Sequence, residues 1–139
     1  MSGSERLQAL GRLVGTWKVT GGATGTCRWE YLEGGHFLVQ HVDLVSPDGS
    51  NVRGIEVIGH NKPFMQERGE DVISRMYGND GATLDYVYEL DGDTLTIWGG
   101  EKGSPAYFRG EFSADGDSLS GAWVWPGGGY DASMTRVAE

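Results

Sequence analysis

Positions 36 to 60 read His36-Phe-Leu-Val-Gln-His-Val-Asp-Leu-Val-Ser-Pro-Asp-Gly-Ser-Asn-Val-Arg-Gly-Ile-Glu-Val-Ile-Gly-His60. At the centre, Ser46-Pro47-Asp48-Gly49-Ser50 suits a type I turn with Gly49 in the left-handed conformation, which pairs Ser46 with Ser50. The flanking residues alternate with the two-residue period of a strand. Counting outward sets Leu38 opposite Ile58, Gln40 opposite Glu56 and His36 opposite His60. The other face sets Asp43 opposite Arg53, an opposite-charge pair suited to solvent. The face carrying Leu38, Val42 and Ile58 is therefore the buried one, and it holds a carboxylate, Glu56.

The same grammar extends along the chain. Residues 4–14 read as the only helix, with Ser4 as N-cap, Leu7, Leu10 and Val14 on one stripe, and Gly11 and Gly15 weakening and ending it. From Gly15 the period changes to two. Short runs rich in Val, Ile, Thr, Tyr and Trp fall near 15–21, 25–32, 36–45, 52–60, 71–78, 83–90, 93–99, 105–113, 117–125 and 129–137, each bounded by turn residues. Uniformly short connections imply an up-and-down antiparallel meander of about ten strands, and closure into a barrel removes the exposed edges. The expected fold is an all-β barrel with a short N-terminal helix closing one end, one domain over 1–139.

The other turns set further registers. Asn79-Asp80-Gly81 brings Met76 to Leu84 and Ser74 to Tyr86. Asp91-Gly92 as a two-residue turn sets Tyr88 opposite Leu95. Glu33-Gly34 sets Tyr31 opposite His36, Trp29 opposite Leu38 and Cys27 opposite Gln40. Asp115-Gly116 sets Phe112 opposite Leu119 and Phe108 opposite Trp123. These agree on one inward face that also includes Trp17, Val19, Tyr86 and Ile97, with Lys18, Arg28, Glu30, Asp85, Glu89, Arg109 and Glu111 outward.

Composition bounds the function. Of 139 residues 24 are Gly, with no Gly-x-y period, which suits a fold of many tight turns. Eleven Lys and Arg oppose twenty Asp and Glu for a net charge of −9. Nucleic acid and anionic membrane surfaces are poor partners for such a chain. One cysteine, Cys27, excludes an internal disulfide and Cys-type zinc motifs. No apolar run reaches the roughly 20 residues of a membrane helix, and the first residues lack an apolar signal region. The expected location is the cytoplasm.

Leu13-Val14-Gly15-Thr16-Trp17 opens the first strand after a short helix, and Thr135-Arg136 lies in the last. This pattern resembles the calycin superfamily of lipocalins, fatty-acid-binding proteins and nitrobindin-like proteins. Gly34-Gly35-His36-Phe37-Leu38 and Val57-Ile58-Gly59 are similar to stretches of small bacterial lipocalin-like domains. The resemblance covers nearly the whole chain. It implies that Gly15 and Trp17 open the barrel, and that Arg136 stacks on Trp17 to seal one end. It also brings the superfamily's cargo classes into view. Fatty-acid carriers use a helical lid and an Arg-x-Tyr clamp; here residues 21–25 form the whole first connection, and Arg136-Val137 offers no such clamp. Nitrobindin-like proteins hold haem by a His in the last strand, and Tyr130-Asp-Ala-Ser-Met-Thr-Arg136 has none.

A meander of this polarity puts the helix at the sealed end and the loops 21–25, 46–51, 79–82, 99–104 and 126–129 at the mouth. Eight strands can just hold one small ligand, so about ten should enclose a cavity. The expected ligand is small and largely apolar or aromatic, lined by Trp29, Leu38, Gln40, Val42, Glu56, Ile58, Met76, Tyr86, Tyr88, Phe108 and Trp123, with Trp125 and Tyr130 at the mouth. Glu56 is the sharpest feature. Burial would raise its pKa, and it could bind a cationic or hydroxylated ligand, act as general base in an isomerase- or cyclase-type proton transfer, or simply bond Gln40. Cys27, Gln40 and Glu56 form one expected row, and Tyr31, His36 and His60 another. His36 and His60 could share a metal, but no third ligand is evident. Cys27 reads as a buried filler more readily than as a nucleophile. Phe64 and Met65, in the irregular stretch 61–70, are candidates for closing the base or for a homodimer contact.

Overall fold

The computed structural model describes residues 4–137. A short helix, α1 (Glu5–Ala9), runs into a 3₁₀ turn over Leu10–Leu13. Ten strands follow: β1 (Gly15–Gly21), β2 (Thr24–Tyr31), β3 (Phe37–Val45), β4 (Asn51–Gly59), β5 (Val72–Gly78), β6 (Thr83–Asp91), β7 (Thr94–Gly99), β8 (Tyr107–Phe112), β9 (Ser118–Trp125) and β10 (Gly128–Arg136). Every strand pairs antiparallel with its sequence neighbours, and β10 returns to β1, so the sheet is a closed up-and-down barrel. Alternation along each strand places the expected apolar set inside. Trp17, Leu38, Ile58, Leu95 and Leu119 are fully buried.

The β3–β4 hairpin has the register that its turn dictates: Leu38 faces Ile58, Gln40 faces Glu56 and Asp43 faces Arg53. The Ser46 amide bonds the Ser50 carbonyl, and Asp48 caps the turn from within. The turns at 79–81 and 113–118 also keep the expected pairings, Met76 with Leu84 and Phe112 with Leu119.

Two registers differ by two residues. Leu32 N–H bonds Phe37 O, so residues 33–36 form a four-residue loop rather than a two-residue one. Trp29 therefore faces Gln40, Cys27 faces Val42 and Tyr31 faces Leu38. Consecutive glycines, Gly34 and Gly35, both take positive φ there and make room for the longer loop. Asp91 pairs with Thr94, so Gly92-Asp93 is the turn and Tyr88 faces Ile97. Gly92 has φ 61° at the first turn position, the geometry of a type II′ turn, which asks for Gly there rather than one residue later. A two-residue shift preserves face parity, so the inward set survives both corrections. His36 and His60 do not form a strand pair: the ladder ends at Phe37 with Gly59, and His36 lies in the exposed loop.

The helix is shorter than expected. Ser4 caps it by accepting the Leu7 amide proton, but beyond Ala9 it tightens to the three-residue spacing of a 3₁₀ turn. Leu7, Leu10 and Leu13 then form the buried stripe, and Val14 is left largely exposed. Gly11 marks the change: a Cβ there would lie 2.4 Å from the Tyr31 hydroxyl, so the chain crosses the end of β2 in close contact. This packing holds Tyr31 at the base, partly exposed. Phe64 and Met65 stand almost fully exposed, so the base is closed by the leucine stripe and not by them.

Above the stripe lies Trp17, whose indole N–H donates to Leu13 O at 2.8 Å and whose ring meets Phe112 edge-on. Arg136 stacks on it, 4.3 Å from the ring centroid. The same guanidinium donates to Val14 O at 2.6 Å, to Arg12 O at 2.8 Å and to Asp117 at 3.0 Å. One side chain from the last strand thus holds the helix end, the first strand and the β8–β9 connection together. Gly15 leaves space for it: its φ is 128°, and a Cβ would stand 2.6 Å from an Arg136 terminal nitrogen.

Candidate functional site

With the base plugged, the barrel is hollow toward the other end. A cavity of about 350 Å³ runs from the middle of the barrel to the loops that follow β1, β3 and β9. That volume lies near the lower end for small-molecule pockets. Its floor is built by β2 to β6, which supply Trp29, Gln40, Glu56, Met76 and Tyr88. Its side wall carries Val42, Tyr86, Phe108 and Trp123, and Trp125 and Tyr130 stand at the mouth with rings 5.9 Å apart. Leu38 and Ile58 are not part of the wall. Both are fully buried nearer the base, where the leucine stripe fills the lumen.

Aromatic rings form a connected lining. Trp123 lies 5.9 Å from Tyr86 and 5.6 Å from Phe108, centroid to centroid. Trp29 meets Tyr88 edge-on, and its buried indole N–H has no hydrogen-bond partner among the described residues.

Glu56 sits among these rings, 5% exposed. Its Oε1 accepts from Gln40 Nε2 at 3.2 Å, and its Oε2 accepts from Ser74 Oγ at 2.6 Å and Tyr88 Oη at 2.8 Å. Burial raises the Glu56 pKa, and the three donors only partly oppose that shift. The effect is mutual. Burial and the Glu56 carboxyl push Tyr86 up to about 12, and Tyr88 well above its ordinary value. Cys27 is likewise pushed up to about 12, first by burial and then by Glu56, so its thiol stays protonated and is a poor nucleophile.

Sequence reasoning placed Gln40 beside Glu56 but missed Ser74 and the direction of Tyr88. Ser74 shares the inward parity of Met76, and Met76 faces Glu56 across β4 and β5, so Ser74 lies one step along the same face. That diagonal was a usable signal. The contact from Tyr88, two strands away across the lumen, had none. Cys27 is one row from Glu56 rather than beside Gln40, for the register reason given above.

The histidines serve the scaffold. His60 bonds Ser4 Oγ, the residue that caps α1, and so ties the helix to the sheet. His41 points outward and bonds Glu30 at 2.6 Å. Among the described residues no group of three or more His, Cys, Asp or Glu is placed to hold a metal. A haem iron would need an axial ligand in the lumen. Among the described residues no His lines the cavity, and Cys27 is held as the neutral thiol, so haem ligation by His or by a thiolate has no residue to supply it there. No described helix is long and apolar enough to cross a membrane.

No known protein family matches the chain, and no curated protein matches it.

Proposed function

We propose that the barrel is a binding module for one small, largely apolar or aromatic molecule held in its lumen. The observation that carries this reading is the hollow itself: a cavity lined by aromatic and aliphatic side chains, closed at one end by a dedicated plug and reached from the other. A chain selected for stability alone would fill that volume, since empty apolar space forfeits dispersion contacts. The Gly15, Trp17 and Arg136 arrangement supports placing the protein with the calycins, in which such hollows carry ligands. Native mass spectrometry and thermal melting against a library of small aromatic molecules test the proposal. A one-to-one complex with a raised Tm and quenched tryptophan fluorescence is expected, because Trp29, Trp123 and Trp125 all line the cavity. Failure of every compound to bind would end it.

A second reading is favoured by one observation. Glu56 is a carboxyl of raised pKa, with the Tyr88 hydroxyl 2.8 Å away, inside a pocket. Those are the parts of a general base with an adjacent acid, as a proton-transfer isomerase or cyclase requires. In that case Glu56→Gln would retain the ligand and lose turnover; persistence of turnover would exclude Glu56 as the base.

A further inference from the structure

The Glu56 carboxyl is surrounded by donors but has no cation. Gln40, Ser74 and Tyr88 are all uncharged. The other groups that line the cavity near it are Cys27 and Trp29 on β2, Met76 on β5 and Tyr86 on β6, and none can carry positive charge. Among the described residues no Lys, Arg or His lines the cavity. The basic side chains of the barrel wall and rim lie outside the cavity lining and pair with surface carboxylates. Arg28 pairs with Glu30, Arg53 with Asp43, Arg75 with Asp85, Lys102 with Glu89 and Arg136 with Asp117. Buried carboxylates are ordinarily paired with a cation, and here three neutral donors on the two oxygens only partly offset the burial that raises the pKa.

We infer that the lumen's ligand is a small organic monocation, a protonated amine on an apolar or aromatic body, whose ammonium group pairs with Glu56. The inference rests on the lumen-binding reading above and names the ligand's class. Tyr86, Phe108 and Trp123 line the same cavity as Glu56 and offer an aromatic seat for the body. The net charge of −9 draws cations toward the protein. The same arrangement disfavours carboxylates such as fatty acids, which would meet no counter-charge in the lumen. The cavity equals about a dozen water volumes, at ~30 Å³ each, which suits one or two rings with a short arm. Burial favours the neutral acid, and pairing with an ammonium group favours the carboxylate, so amine binding shifts the carboxyl toward its ionised form.

Three probes of one shape provide the test: naphthylmethylamine, naphthylmethanol and naphthoate. Each is titrated calorimetrically into the full-length protein at pH 7 in two buffers of different ionisation heat. The amine should bind at least about tenfold tighter than the alcohol, as a charged hydrogen bond exceeds a neutral one, and the naphthoate weakest. Any proton released on binding should be greater for the amine than for the alcohol. In Glu56→Gln the preference for amine over alcohol should vanish while the alcohol still binds. If that variant does not fold, the affinity order of the three probes on the unaltered protein decides the matter. An alcohol bound as tightly as the amine, or a naphthoate bound best, would overturn the inference and leave the lumen reading standing. Binding by none of the three would remove the lumen reading itself.

Discussion

Replacing Arg136 with Met tests how the barrel is closed. The substitution keeps a long unbranched stem over Trp17 but removes the guanidinium. Three losses follow. The cation–π contact at 4.3 Å is partly buried and contributes about 1–2 kcal/mol. The Val14 and Arg12 carbonyls lose their charged donors, at about 1 kcal/mol each after allowance for water reaching this rim. The ion pair with the exposed Asp117 adds about 0.5 kcal/mol at most. The expected total is about 4 kcal/mol, which for a chain of 139 residues lowers Tm by roughly 14 °C. Arg136→Lys should recover only a minor part, because a point charge cannot reach two carbonyls and cover a ring at once. Thermal unfolding followed by near-ultraviolet circular dichroism measures both, since Trp17 reports locally. A loss below about 3 °C for Arg136→Met, or full recovery in the Lys variant, would refute the view that this side chain fastens the two ends of the chain.

Three further outcomes are expected. Leu13→Ala should cost about 2–4 kcal/mol in urea unfolding and Val14→Ala less than about 1 kcal/mol, because the 3₁₀ turn buries the first and exposes the second; equal losses would mean that a continuous α-helix forms instead. Glu56 has a raised pKa in the folded state, so the fold binds more protons than the unfolded chain between the ordinary glutamate value of 4.5 and the raised one. Its contribution is therefore fully present below 4.5 and is lost as pH rises through the folded value, and Glu56→Gln should show a flatter stability profile on that side. Glu30, Asp48, Asp85, Glu89 and Asp115 have lowered values and act at the acid end, where their contributions fade as pH falls. Cys27, with its pKa pushed up to about 12, should resist a maleimide at pH 8 in the native protein and react rapidly in denaturant; fast native labelling would show that the lumen wall opens readily.

The strands and their inward face were legible in the sequence because a two-residue period is a local property. Val, Ile, Tyr and Trp alternating with charges between glycine turns allow one buried face, and the Ser46–Ser50 turn alone orders the pairing of Gln40 with Glu56. The misread register at Glu33-Gly34 came from loop length, and that at Asp91-Gly92 from which two residues make the turn. A dipeptide with glycine fits more than one loop, and the choice is made by the φ each glycine adopts once both strands are in place. Parity tolerated the error, which is why the set of lumen residues was nearly right although individual partners were not.

What closes the lumen and what meets inside it depended on the tertiary structure. Leu38 and Ile58 have the same inward parity as Gln40 and Glu56, but the helix plug fills the barrel at their level and leaves the cavity above. Tyr88 reaches Glu56 across 32 positions of chain, and Arg136 reaches Val14 across 122. Such contacts follow from the curvature of a closed sheet, which brings distant strands to a common centre, and neighbouring residues along the chain carry no trace of it. The sequence by itself determined which side chains face inward. Closure in three dimensions decided which of them share a hollow, and that Glu56 stands there among donors without a cation.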